Sequence, residues 1–120
     1  MTNQDLVSVI MSTYNDKNTI TASIESILSQ TYKNIEIHII DDGSTDRTTE
    51  IIETYAKHNE NIFTYRNNKN IGLTKSLNLL IDKTKGVYIA RQDADDISHP
   101  DRINQQLIAM KKKQSRFLWN

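Results

Sequence analysis

Apolar residues along this chain alternate between two spacings. Leu6-Val7-Ser8-Val9-Ile10-Met11 and Ile35-Glu36-Ile37-His38-Ile39-Ile40 are short β-rich runs, the profile of strands buried on both faces. Between them, Ile20, Ile24, Ile27 and Leu28 recur at i, i+4, i+7 and i+8, the stripe of a helix expected to end near Gln30. A second helix carries Ile51, Ile52, Tyr55 and Ala56, and Ile62-Phe63-Thr64-Tyr65 reads as a third, weaker strand. A third helix puts Leu73, Leu77, Leu80 and Ile81 on one face. It is expected to run to Lys85-Gly86, where glycine suits the residue after a helix. Val87 to Arg91 is a fourth strand, and Pro100 fits the first turn of a fourth helix striped by Ile103, Leu107 and Met110. The order β-α-β-α-β-α-β-α predicts an α/β fold with an open, doubly wound, mostly parallel sheet. No repeat, linker or low-complexity segment interrupts the pattern, so residues 1–120 are read as one domain.

Composition narrows the classes. At 120 residues the chain can bury a real core, near the lower end for such a sheet. Fifteen basic residues balance fifteen acidic ones, which gives no pointer to nucleic acid or to a membrane surface. The absence of cysteine excludes a disulfide framework or a thiolate metal site. No stretch approaches the ~18 apolar residues of a membrane span. Met1-Thr2-Asn3-Gln4-Asp5 lacks the basic and apolar segments of a signal peptide, so a cytoplasmic location is expected.

Every polar cluster follows a strand: Thr13-Tyr14-Asn15, Asp41-Asp42-Gly43-Ser44, Asn70-Ile71-Gly72, and Asp93-Ala94-Asp95-Asp96. In an open α/β sheet, ligands bind in the crevice at the carboxyl ends of the strands, where all four would converge. The last cluster holds three carboxylates in four residues. If strand geometry persisted, Asp93 and Asp95 would project from one side. Their mutual repulsion would be relieved by a hard divalent cation. The plainer alternative is a solvated acidic turn, with Asp96 or Ser98 capping the next helix. Asp41 to Asp46 could likewise be only a turn and a cap, yet an ionised Asp42 could accept an N–H from a base or hydroxyls from a ribose. Asp41 could instead point into the sheet. Tyr14 either packs or stacks on a planar base. His38, mid-strand with no second ligand nearby, is read as packed or exposed rather than catalytic, and Lys111-Lys112-Lys113 as the solvated end of a helix.

Taken with Ser26-Ile27-Leu28-Ser29-Gln30-Thr31-Tyr32 and Gly86-Val87-Tyr88-Ile89-Ala90, these clusters resemble family 2 glycosyltransferases in order and spacing over roughly residues 6–110. The resemblance implies the GT-A fold and inverting transfer from a nucleotide-sugar, a UDP-sugar above all, to a saccharide or lipid-linked acceptor. It also implies work on bacterial surface polysaccharide, in the cytoplasm or at the inner face of the membrane. Carried over residue by residue, it implies a nucleotide-sugar site of Thr13, Tyr14, Asp42, Asn78 and Asp93. Tyr14 would border the base, Asp42 would bind it, and Asp93 would approach the ribose or a metal-bound water. Asp95, with Asp93, would ligate the Mn2+ or Mg2+ that bridges the diphosphate.

Two departures stand out. Many relatives carry an arginine before the asparagine of the third helix, whereas Leu77 precedes Asn78 here and leaves Lys75 as a substitute for phosphate contact. The family's catalytic base lies well downstream of the acidic stretch, and no Asp or Glu follows Asp101. The chain is therefore expected to be the donor-binding half of a longer enzyme, with no catalytic base of its own. Leu118 and Trp119 would then begin a strand lacking its neighbours, disordered or packed on a second copy. Two other classes compete: a Mg2+-dependent phosphoryl-transfer domain, receiver- or phosphatase-like, and a non-catalytic nucleotide-binding module. Both phosphoryl-transfer types want acids after the first strand, where this chain has Ser12-Thr13-Tyr14-Asn15.

Overall fold

A computed structural model describes residues 4–110 and 115–118. Strands β1 (Val7–Thr13), β2 (Ile35–Asp41), β3 (Ile62–Arg66) and β4 (Tyr88–Arg91) alternate with helices α1 (Ile20–Leu28), α2 (Thr48–His58), α3 (Leu73–Ile81) and α4 (Arg102–Met110). The sheet is parallel throughout, in the order β3-β2-β1-β4. The chain steps outward from β1 to β3, then crosses back past β1 to lay down β4. Strand order reverses between β1 and β4, and such a switch point opens a crevice at the carboxyl ends.

The period of two along each strand divides the core. Val7, Val9 and Met11, with Ile37, Ile39 and Ala90, face Ile20, Ile24 and Ile27 of α1, Ile52 of α2, and Ile103 and Leu107 of α4. Ile10, Ile40 and Ile89 face Leu77 and Leu80 of α3 on the other side. Helices on both faces explain why β1 and β2 read as near-continuous apolar runs rather than alternating ones. Each of these aliphatic side chains contributes roughly 1.5–3 kcal/mol on burial. Among the described residues, no helix is long and apolar enough to cross a membrane.

Two boundaries differ from expectation. β1 runs on to Thr13, because Ser12 and Thr13 continue the register against Ile40 and Asp41. α3 stops at Ile81, where the N–H groups of Lys83 and Thr84 turn back to the carbonyls of Leu80 and Ile81 at 2.9 and 3.2 Å. Gly86 therefore ends no helix. Its role is close approach: a Cβ there would lie 2.5 Å from Ser8 Oγ and 2.6 Å from Ser8 N. Ser8 Oγ accepts the Gly86 N–H at 2.8 Å and donates to Glu36 at 2.6 Å, which joins the start of β4 to β1 and β2. Of the two places open to it, packed or exposed, His38 takes the buried one. It stacks between Phe63 and Tyr65, with Nδ1 2.9 Å from the Tyr65 hydroxyl. Its Nε2 is 2.9 Å from Glu36 Oε2, an ion-pair distance without hydrogen-bond alignment.

The expectation for Leu118 is corrected. Phe117 pairs in parallel with Ile89, the Ile89 N–H donates to Arg116 O at 2.7 Å, and the Leu118 N–H to Ile89 O at 2.8 Å. The open edge of β4 thus supplies the neighbours. Leu118 is 1% exposed in the core under α4, while Phe117 packs on the α3 side. Trp119 and Lys111-Lys112-Lys113 lie outside the described residues.

Candidate functional site

The loop after β1 is built around Asp16. Its Oδ2 accepts the Thr13 hydroxyl at 2.8 Å and the Tyr14 N–H at 3.0 Å. Asn15 takes a left-handed φ of 53°, which asparagine tolerates better than most residues. From there its N–H donates to Ser44 Oγ at 2.9 Å, and its Oδ1 accepts the Thr45 N–H at 2.8 Å. The loops after β1 and β2 are thereby laced into one surface. The Tyr14 ring is left 45% exposed on it.

The two aspartates ending β2 part company. Asp41 is fully buried and bonds inward, to the Ser44 N–H at 2.9 Å and to the Thr49 hydroxyl. It shapes the loop and does not face the cleft. Asp42 turns the other way, toward the loop before α3. Its Oδ1 accepts from Asn67 Nδ2 at 2.9 Å and the Ile71 N–H at 2.8 Å, and its Oδ2 accepts the Gly72 N–H at 2.9 Å. Burial alone would raise its pKa, but the donors from Ile71, Asn67, Gly72 and Ser76 outweigh it and hold the carboxyl below the usual range. A carboxylate offers about four acceptor sites, so a base N–H reaching Asp42 would share or displace one of these donors. Gly43, at φ 81°, lets the third loop pass this close: a Cβ there would meet Lys69 C and Asn70 N at 2.9 Å.

After β4 the strand geometry does not persist. The Asp96 N–H closes onto Asp93 O at 3.0 Å, and this turn, not a β period, gathers the acids. One carboxylate oxygen from each of Asp93, Asp95 and Asp96 lies within 4.8 Å of the others. Asp93 Oδ1 also accepts from Arg91 Nε at 3.0 Å.

These loops enclose a cleft of about 420 Å3. It is lined by Ser12 near the end of β1, Tyr14 and Asp16 after it, Asp42 after β2, Asn70 and Gly72 before α3, and Asp93 and Asp95 after β4. Of the residues singled out in the sequence, Tyr14, Asp42, Asp93 and Asp95 come together here. Thr13 does not: it is 1% exposed, with its hydroxyl spent on Asp16. With β1 extended to residue 13, the parity of the strand turns Thr13 toward α1 and sends Ser12 to the cleft. Asn78 is not among the lining residues either. Leu77 and Leu80 hold α3 against the sheet, which leaves Asn78 exposed and away from the cleft, and Lys75 is likewise exposed outside the lining. Ser12, Asp16 and Asp96 are the additions. Asp16 carried no separate signal in the sequence, whereas Asp96 was visible as the third acid of its cluster.

The charge of the cleft is one-sided. Among the described residues four aspartates line it, and no lysine or arginine does. An anionic ligand entering such a site meets negative charge that a cation would offset. Three closely spaced carboxylates are a donor set that suits a hard divalent ion.

The model of glycosyl transferase family 2 matches residues 8–118. The chain belongs to that family. EpsE of Bacillus subtilis, assigned as a glycosyltransferase, is 48% identical over 107 residues, which cover 88% of this chain and 38% of that protein. The Escherichia coli UDP-Glc:α-D-GlcNAc-diphosphoundecaprenol β-1,3-glucosyltransferase WfaP is 41% identical over 116 residues, 97% of this chain and 45% of its own. Among solved structures, Staphylococcus aureus TarS 1–349 in complex with UDP superposes with a TM-score of 0.80 at 26% identity, covering 89% of this chain and 32% of that one. The fold is that of GT-A glycosyltransferases. The family 2 chain described here spans less than half the length of these relatives.

Proposed function

We propose that this chain forms the donor-binding portion of an inverting glycosyltransferase that takes a nucleoside-diphosphate sugar, UDP-linked, with a divalent cation. The carrying observation is the cleft itself, whose charged lining among the described residues is acidic only. A diphosphate binds among carboxylates only when positive charge lies between them, and Asp93, Asp95 and Asp96 have the oxygens to hold it. Asp95 and Asp93 are the assigned ligands, with Asp96 beside them. Mn2+ or Mg2+ there would supply charge against the diphosphate as it departs. Tyr14 offers its exposed ring to the base. Asp42 fixes the loop that borders the base and shares its carboxylate with the base N–H.

The general base is not assigned to this chain. Asp93 and Asp95 go to the cation, Asp16 holds its own loop, and Asp42 is taken up by the loop before α3 and the base. In the whole protein a further carboxylate within hydrogen-bond reach of the acceptor hydroxyl would do that work. A saccharide or lipid-linked acceptor is supported by the name of the WfaP relative, whose acceptor is a diphosphoundecaprenol-linked sugar; bacterial surface glycan synthesis and a cytoplasmic site at the inner membrane face go with that reading. Calorimetry with UDP in the presence and absence of Mn2+ tests the reading. Binding that Mn2+ strengthens and that Asp95→Asn weakens is expected; equal affinity with EDTA would overturn it.

A further inference from the structure

Beneath the acidic turn lies a buried polar cluster that takes no part in lining the cleft. Gln92 is 2% exposed, and both ends of its amide are engaged. Oε1 accepts the Ser98 hydroxyl at 2.6 Å and Arg102 Nη1 at 2.9 Å. Nε2 donates to Asp96 O at 2.8 Å and to Ser23 Oγ at 3.1 Å. Ser23, fully buried on α1, donates in turn to Asp93 O at 2.9 Å. The first and last acids of the turn are therefore each held by a main-chain carbonyl, one from Ser23 and one from Gln92. Arg102 adds a third hold from α4, with Nη2 on Arg91 O at 2.8 Å and Nη1 on Ser98 Oγ at 3.0 Å.

Such holds have a physical purpose. Carboxylates this close repel one another, so a turn carrying three of them tends to spread. The clamps act on carbonyls and leave the carboxylate oxygens available. A cation site built this way keeps its ligands convergent before the ion arrives, the condition for tight and selective binding. Core packing alone needs no amide here; an apolar side chain would fill the same space.

We infer that Gln92 and Ser23 are positioning residues for the divalent-cation site, acting through the carbonyls of Asp96 and Asp93. This rests on the metal reading above, and the experiment separates the two. Mn2+ binding is followed on the 120-residue chain by loss of the free-ion paramagnetic resonance signal, alongside thermal melting in EDTA. Ser23→Ala and Gln92→Leu are compared with the parent, with Asp95→Asn, and with Ile52→Val, which thins the core under α2 away from the turn. Ser23→Ala and Gln92→Leu should each weaken Mn2+ binding at least fivefold, while Ile52→Val at similar melting loss leaves it unchanged. Should Gln92→Leu fail to fold, Ser23→Ala decides. Parental Mn2+ affinity in Ser23→Ala, with Asp95→Asn impaired, overturns the positioning role alone. No Mn2+ binding by the parent, or full binding by Asp95→Asn, overturns the metal site and this inference with it.

Discussion

The carboxylate of Asp42 accepts the backbone N–H of Gly72 at 2.9 Å, across thirty residues of sequence. That bond, with those from Ile71 and Asn67, fixes the end of β2 to the start of α3 and so sets one wall of the cleft. Asp42→Ala removes the acceptor from three donors at once. UDP affinity should fall by about 1.5–3 kcal/mol with or without Mn2+, the range for hydrogen bonds to charged groups. The discriminating measurement is UDP against CDP, because a base-reading Asp42 predicts that the preference vanishes. A mutant that binds both more weakly in equal ratio would leave Asp42 a purely structural role.

The same residue shapes the response to acid. Its folded pKa lies below its ordinary value of 3.8, and that of Glu36, which accepts from Ser8 and Lys85, lies below 4.5. A carboxyl depressed by folding adds stability that is full above its ordinary pKa and is lost as pH falls through the folded value. Urea unfolding should therefore be flat in these contributions above about pH 5 and decline below about pH 4. Asp42→Asn and Glu36→Gln should each be less stable at pH 6 and show a shallower acid decline. An unchanged decline in both would remove these two residues as its source.

Asp95 is exposed and carries its charge toward the cleft. Asp95→Asn should weaken Mn2+-dependent UDP binding by more than ~1.4 kcal/mol, a tenfold change, with melting in EDTA unaltered. Calorimetry at fixed Mn2+ gives the answer, and parental affinity would refute the ligand assignment.

Gly43 is the point where two loops come closest. Its φ of 81° strains any side chain, and a Cβ would meet backbone atoms of Lys69 and Asn70 at 2.9 Å. Gly43→Ala should cost about 1–3 kcal/mol of stability and also lower UDP affinity, by pushing Asn70 out of the cleft wall. Gly72→Ala is the contrast. Its φ of 100° brings strain, yet no atom lies within 4 Å of the added carbon. A melting temperature for Gly43→Ala equal to that of Gly72→Ala would argue against the close approach.

Turnover should depend on length. The 120-residue chain is expected to bind UDP without acceptor-dependent release of UDP from a panel of UDP-sugars. A chain longer by about one hundred residues, a typical domain's worth, should gain it. Acceptor-dependent release by the shorter chain would place the general base within it.

Much of this was legible in the residues because the decisive patterns are local. Apolar runs and helical stripes fixed the order of eight elements, and parallel pairing sends every strand-to-helix loop to one edge. Tyr14, Asp42, Asp93 and Asp95 could therefore be brought together on paper. What tertiary structure alone decided was non-local. β2 carried β1 two residues past its apolar run, which by strand parity exchanged Thr13 for Ser12 in the cleft. The bonds that occupy Asp42 come from 25 to 30 residues away, and those that hold the acidic turn reach from Asp93 back 70 residues to Ser23 on α1. No window along the chain contains such pairs. The docking of Leu118 beside Ile89 belongs with them, since a strand edge becomes a partner only once the sheet that creates it has formed.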